Sequence, residues 1–265
     1  MGKEVYMPIW IQILVCLVAG MGAGLGTGFA GMSAAAVIAP MLTTFLKMDA
    51  YDAVGIALAS DVLASGASAL TYKKHGNIDV RDGSLMMATV LLFTMIGSWA
   101  SSLLPSATMG SFSVVMTALL GIRFIVRPVM TTKEIMQGSA GTKRMVLSAL
   151  SGCAVGFICG FVGAGGGIMM LIVLTTVLGF ELKTAVGTSV FIMTFTALTG
   201  SVSHFILEGM PAIFPLVLCV VFTLIFARIG ARIANKIPAK TLNRTTGILL
   251  LTLGVIIITV NALNK

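Results

Sequence analysis

The sequence predicts an all-α polytopic membrane protein built from two inverted-topology repeats, each a glycine-tipped helical hairpin plus three transmembrane helices. Three observations carry that prediction. Hydrophobic residues fill 57% of 265 positions and charged residues only 10%, against about 25% charged in soluble domains, and the mean hydropathy is +1.06. The second half of the chain repeats the first. The cations gather in short segments between long apolar runs, so the net charge of +8 reports orientation in a lipid bilayer and not binding to nucleic acid.

The elements follow in order. Repeat one is expected over residues 1–127, with a hairpin at 8–46 and spans at 53–72, 83–104 and 109–127. A polar stretch, "RPVMTTKEIMQGSAGTKR" (127–144), supplies a cytoplasmic linker at 128–144. Repeat two is expected over 145–265, with a hairpin at 145–179 and spans at 184–206, 211–231 and 245–262. Crossing roughly 30 Å of hydrocarbon takes about 20 helical residues. Two segments, 33–46 and 166–179, have only 14 residues each, about 21 Å of helix. Each directly follows a glycine-rich stretch, so each is expected to start inside the membrane as the returning arm of a hairpin with a buried tip. Lys3 is the one early cation and more membrane segments follow the first apolar run, so no cleavable signal peptide is expected.

The repeat is visible by eye. Shifted by 132 positions, "GFAGMSAAAVIAPMLTTFLKMDAYDAVG" (28–55) lies without a gap on "GFVGAGGGIMMLIVLTTVLGFELKTAVG" (160–187), sharing the "LTT" and "AVG" runs. With one inserted residue the match continues through Gly76/Gly209, Gly97/Gly230, Pro105/Pro238 and Gly121/Gly254. Such internal similarity is read before any other feature because it fixes the architecture.

Orientation follows from charge. The linker and the late segment "RIGARIANKIPAKTLNR" (228–244), with five cations and no acid, belong on the cytoplasmic side. If each hairpin enters and returns and every other segment crosses, 14 of the 17 Lys and Arg fall inside, and only Lys3, Lys47 and Lys265 fall outside. Equivalent loops then have opposite charge: 73–82 is basic, while its partner near Glu208 has no cation. The halves are inverted copies, and both termini are expected outside. Parallel copies would instead put the 228–244 cluster outside, against the charge rule.

Inverted repeats with short, glycine-interrupted helices at matching positions point to a transporter site near the bilayer midplane. A helix that begins in hydrocarbon leaves its first N–H groups without intrahelical partners, at a cost of several kcal/mol each. Its dipole favours a negative partner there. Two such starts, Gly31-Met32-Ser33 and Gly163-Ala164-Gly165-Gly166-Gly167, are therefore expected to face each other and hold a small anion with amides. No Lys or Arg lies at mid-depth in an apolar segment, which suits exchange better than tight retention. Gly20, Gly24 and Gly28, with Gly156 and Gly160, recur at four-residue spacing and read instead as close helix packing. A dinucleotide-binding loop is excluded, because "GAGGG" follows a membrane segment and not a strand.

Polar residues refine the site. Thr188 and Ser189 open the helix after the second hairpin, where the first half has Ile56 and Ala57, so the polar wall comes mostly from the second half. Thr43-Thr44 and Thr175-Thr176 read as hydroxyls bonded back to carbonyls one turn earlier. Asp61 is the one acid deep within a span, and its repeat partner is Met193. A buried ionisable group is functional by default, which makes Asp61 a candidate for proton coupling; the alternative is a structural carboxyl bonded to Ser60, Ser65 or a carbonyl. His75 lies in a cytoplasmic loop and His204 near the outer end of its span, where a gate or pH role is an alternative to none. Cys16, Cys153, Cys159 and Cys219 lack metal-ligand spacing and read as small buried hydrophobes, and no cofactor or metal is expected.

On the segment "GFVGAGGGIMMLIVLTTVLGFELKTAVGTSVF" (160–191), its echo at 28–60 and the late "RIGARIANKIP" (228–238), the whole chain resembles the sulfite exporter TauE/SafE family of bacterial membrane proteins. The first half departs from it, with "GMSAAA" where a richer glycine tip stands in the second. The resemblance implies a multi-pass protein of the inner membrane that moves sulfur-containing anions such as sulfite or organosulfonates. The expected function is secondary transport by alternating access. The rivals are an anion channel of the same architecture and an intramembrane enzyme, the latter unsupported by any paired acids, His–acid motif or Ser–Lys pair at membrane depth. The expected partners are the anion and the bilayer, with no nucleic acid, in a monomer or homodimer.

Overall fold

The computed structural model describes residues 7–101, 122, 125–126, 142–162 and 166–263. Among them every regular element is α-helical. In chain order these are α1 (Ile9–Ala30), α2 (Ala35–Phe45), α3 (Ala50–Lys74), α4 (Val80–Ser101), α5 (Thr142–Val162), α6 (Gly166–Thr176), α7 (Leu182–Glu208), α8 (Ile213–Lys236) and α9 (Ala239–Leu263). The expected span at 109–127, three positions excepted, and most of the linker lie outside the described residues, as do Gly163, Ala164 and Gly165 at the second tip.

Four of the helices, over Ile9–Ala30, Asp52–Lys74, Leu182–Val202 and Ile213–Lys236, are long and apolar enough to cross a membrane. The two expected short arms are short: α2 and α6 have 11 residues each, about 16 Å. The outer faces of the long helices carry large apolar side chains. Trp10, Leu14, Val18 and Met21 are exposed along α1, and Val217, Val221, Ile225, Ile229 and Ile233 along α8. A continuous apolar stripe of that size is tolerated against lipid and not against water.

Packing fixes the directions of the helices. Gly20, Gly24 and Gly28 of α1 lie in ascending order on Thr223, Ala227 and Ala231 of α8, so these two helices run parallel. The approach is backbone on backbone: a Cβ at Gly28 would sit 2.6 Å from the Ala227 carbonyl oxygen and 2.7 Å from the Ala231 nitrogen. Gly152 and Gly156 of α5 meet Met86 and Val90 of α4 in the same ascending order, so α4 and α5 also run parallel. Gly66 of α3 meets Thr194 of α7, while Leu58 meets Gly200, so α3 and α7 run antiparallel. The packing reading of Gly20, Gly24, Gly28 and Gly156 is thereby borne out.

Backbone conformation repeats along with sequence. Lys47 and Gly179 are 132 positions apart and both left-handed, with φ of 55° and 64°. Gly76 and Gly209, paired across the inserted residue, have φ of 66° and 89°. At one end of the bundle the Asn77 amide donates to the Asn235 side-chain oxygen at 2.7 Å, and Lys183 donates to the Asn235 carbonyl at 3.0 Å. This joins the α3–α4 turn, the start of α7 and the end of α8. At the other end a cavity of about 650 Å³ lies between Met7 and Gln12, the turn at Lys47 to Asp52, and Phe214.

Candidate functional site

The first hairpin tip closes on itself. Gly31, with φ of 59°, ends α1, and its N–H donates to the Thr27 carbonyl at 3.0 Å while Met32 N–H donates to Gly26 at 3.3 Å. A helix end in apolar surroundings also leaves bare carbonyls. Here the Tyr72 hydroxyl of α3 donates to Gly28 at 2.9 Å, and Thr246 of α9 to Phe29 at 3.3 Å. The Thr27 hydroxyl lies 2.8 Å from the Met32 carbonyl.

The start of α2 is held by Asp61. Its carboxyl accepts hydrogen bonds from Ser33 at 2.7 Å and Ser65 at 2.8 Å, and the Ala34 N–H faces it. Ser33 Oγ in turn accepts from the Ala35 N–H at 3.3 Å, and Ala36 N–H donates to the Ser33 carbonyl at 3.2 Å. The expectation that Gly31, Met32 and Ser33 present bare amides to a guest is therefore revised. The amides of Gly31 and Met32 finish α1, and Ser33 directs its hydroxyl to Asp61. The physical reason is the cost of an unpaired N–H in hydrocarbon, which the chain removes with its own carboxylate.

Depth comes from the long helices beside the tips. Asp61 lies eleven residues into α3, which begins at Ala50, about 16 Å along the axis and close to half of a roughly 30 Å core. Met193 lies eleven residues into α7, which begins at Leu182, and its thioether packs on Gly167, the second residue of α6. Both short helices thus begin beside the middle of a long one.

The two tips touch. A Cβ on Gly167 would collide with the Gly31 carbonyl oxygen and the Met193 sulfur, and a Cβ on Gly31 would collide with the Ser189 hydroxyl. Ser189 is fully buried and donates to the Val186 carbonyl at 2.9 Å. The structure therefore brings Gly31, Gly167 and Ser189 together, with Gly166 opening α6 beside them. Thr188 points elsewhere: its hydroxyl accepts from the Asp79 N–H at 3.1 Å, and its methyl group faces Gly83 at the start of α4.

Other expectations resolve simply. Thr43, Thr175 and Thr176 bond back to Pro40, Leu171 and Ile172. His75 is exposed, with Nδ1 2.8 Å from the Thr71 carbonyl; the His204 side chain lies outside the described residues. Cys16 and Cys219 are buried and are neighbours across the α1–α8 contact, while Cys153 is half-buried. Sequence reasoning missed Tyr72 and Thr246, the donors that finish α1, and undervalued Ser33 as a donor to Asp61.

A family model described as sulfite exporter TauE/SafE matches residues 16–257. A probable membrane transporter protein, YunE of Bacillus subtilis strain 168, is 27% identical over 228 residues, covering 78% of this chain and 84% of that protein. A second from the same organism, probable membrane transporter protein YdhB, is 22% identical over 186 residues, covering 70% and 76%. No solved structure matches.

Proposed function

Because this chain belongs to the sulfite exporter TauE/SafE family and is a multi-pass membrane transporter, we propose that it carries a small sulfur-containing anion, sulfite or an organosulfonate, across the bacterial inner membrane. The anion sits at the second hairpin tip, gripped by amides of the stretch Gly163 to Gly167, with Gly31, Met32, Ser33 and Ser189 forming the facing wall. Thr188 sets the position of α7 against α4. One observation carries this reading: the glycine-lined start of α6 is packed against the opposite tip, beside the midpoint of α7. The first N–H groups of a helix have no intrahelical partners, and an anion answers both their hydrogen-bonding need and the helix dipole.

We place the site on the axis of an inverted repeat, 1–127 against 145–265. Two packing directions support it. Inversion predicts repeat-equivalent α3 and α7 antiparallel, and α1 parallel to α8; parallel copies would reverse both. The termini then lie outside, and each half presents its tip to one side of the membrane in turn.

Proton coupling through Asp61 is the reading its depth alone favours. Its three donors favour a fixed acceptor, and flux in vesicles with an imposed pH gradient separates the two. The test of the function is counterflow of labelled sulfite in proteoliposomes. A carrier saturates and is stimulated by sulfite on the far side. Current that follows voltage without trans-stimulation makes the protein a channel, and covalent conversion of sulfite without flux makes it an enzyme.

A further inference from the structure

We propose that Asp61 is a tethered anion. Its carboxylate takes, at the start of α2, the place that the transported anion takes at the start of α6, so the protein holds one guest, at the second tip. The second clause rests on the function proposed above; the first stands on geometry.

Asp61 is 1% exposed. Its oxygens face the hydroxyls of Ser33 and Ser65 at 2.7 and 2.8 Å and the Ala34 N–H, the last residue before α2. All three are donors; the Ser33 hydroxyl and the Ala34 N–H belong to the start of α2, where a helix favours an anion, and Ser65 lies one turn along α3. The opposite half keeps the frame and removes the group. Across the repeat Ser33 aligns with Gly165, Asp61 with Met193 and Ser65 with Ala197. Met193 still lies beside the start of α6, against Gly167, but it brings an apolar thioether where Asp61 brings charge. Hydroxyls are distributed the other way, since Thr188 and Ser189 align with Ile56 and Ala57. A negative group is thus built into one tip and absent from the other. Two free anions so close together would repel each other. The fixed charge of Asp61 keeps a second free anion out of the first tip by that same repulsion, and it holds α2 to α3 whether or not a guest is present.

The experiment is chemical rescue in the purified full-length protein. Asp61→Gly leaves space for a small carboxylate. In chloride this variant melts below wild type, and formate at matched ionic strength raises its melting temperature in a saturable way, while wild type does not respond. Asp61→Asn, which fills the space without the charge, melts below wild type and formate does not restore it. A folded Asp61→Gly indifferent to formate overturns the proposal. Should that variant not fold, Asp61→Asn decides: melting like wild type shows that charge is not required and overturns it equally. The converse variant, Met193→Asp, adds a carboxylate at the start of α6. Sulfite then no longer raises the melting temperature as it does for wild type and Met193→Leu, and undiminished stabilisation of Met193→Asp overturns the single-guest clause. Sulfite without effect on wild type counts against the second tip as the guest's site and leaves the formate result standing on its own.

Discussion

Adding one methyl group at Gly167 tests the contact between the tips. A Cβ there meets two neighbours, the Met193 thioether and the Gly31 carbonyl oxygen. The thioether is flexible and can swing aside; its methyl carbon already lies 3.1 Å from the position the Cβ would take. The Gly31 carbonyl cannot move alone, because it belongs to the turn whose N–H and following residue are bonded to Thr27 and Gly26. An ordinary C···O approach is about 3.3–3.6 Å, so the tips must part by roughly 1 Å. Overpacking of this kind costs about 1–3 kcal/mol, equivalent to roughly 5–150-fold in a binding equilibrium. Because the strain falls between the tips, the Gly167→Ala variant should fold, keep its place in the membrane, and take up labelled sulfite with a KM raised by a factor in that range. The assay is counterflow in proteoliposomes, with melting temperature as the control for folding. An unchanged KM and rate would refute the argument that the anion sits where α6 begins against Gly31.

Further predictions test the frame around that contact. Gly28→Leu places a side chain against the backbone of α8, with a Cβ 2.6 Å from the Ala227 oxygen; at about 1–3 kcal/mol its melting temperature should fall by several degrees, and a wild-type value would mean that α1 and α8 are not in contact. Oxidation should link Cys16 to Cys219, so that after cleavage at a protease site inserted in the 128–144 linker the two halves stay joined until reduced. Halves that separate without reductant would contradict the α1–α8 pairing. Single cysteines replacing Ile78 and Lys240 should label from the cytoplasmic side, and labelling of position 240 from outside defeats the inverted topology. Gly166→Val should abolish flux while leaving insertion intact, and normal flux would remove that amide from the site.

Much of the frame was legible in the chain, for physical reasons that can be named. Segments 33–46 and 166–179 are too short to span, and they became helices of 11 residues because tips and turns consumed the rest. Small residues at four-residue spacing announced the close contact of α1 with α8, since backbones approach only where side chains are missing. The site was less legible where contacts join distant positions. Asp61 was conspicuous as a buried acid, but nothing local tells it to reach Ser33, 28 residues earlier. Tyr72 and Thr246 finish α1 from 44 and 217 residues away, and no spacing rule reaches so far. Thr188 and Ser189 are neighbours separated by about 100° on the helix. Which of them faces the tips depends on how α7 is rotated, and that is decided by its packing on α3 and α4.

The most direct measurement is to locate the guest. Selenite, the selenium counterpart of sulfite, scatters X-rays anomalously, and a crystal grown or soaked with it would reveal the ion by a peak independent of the protein. The peak should lie beside the start of α6 at Gly166–Gly167 and the turn at Gly31, one per chain, with Asp61 still on Ser33 and Ser65. A selenium peak confined to the cavity at Lys47 and Phe214, or one at the start of α2 in place of the Asp61 carboxylate, would contradict the account.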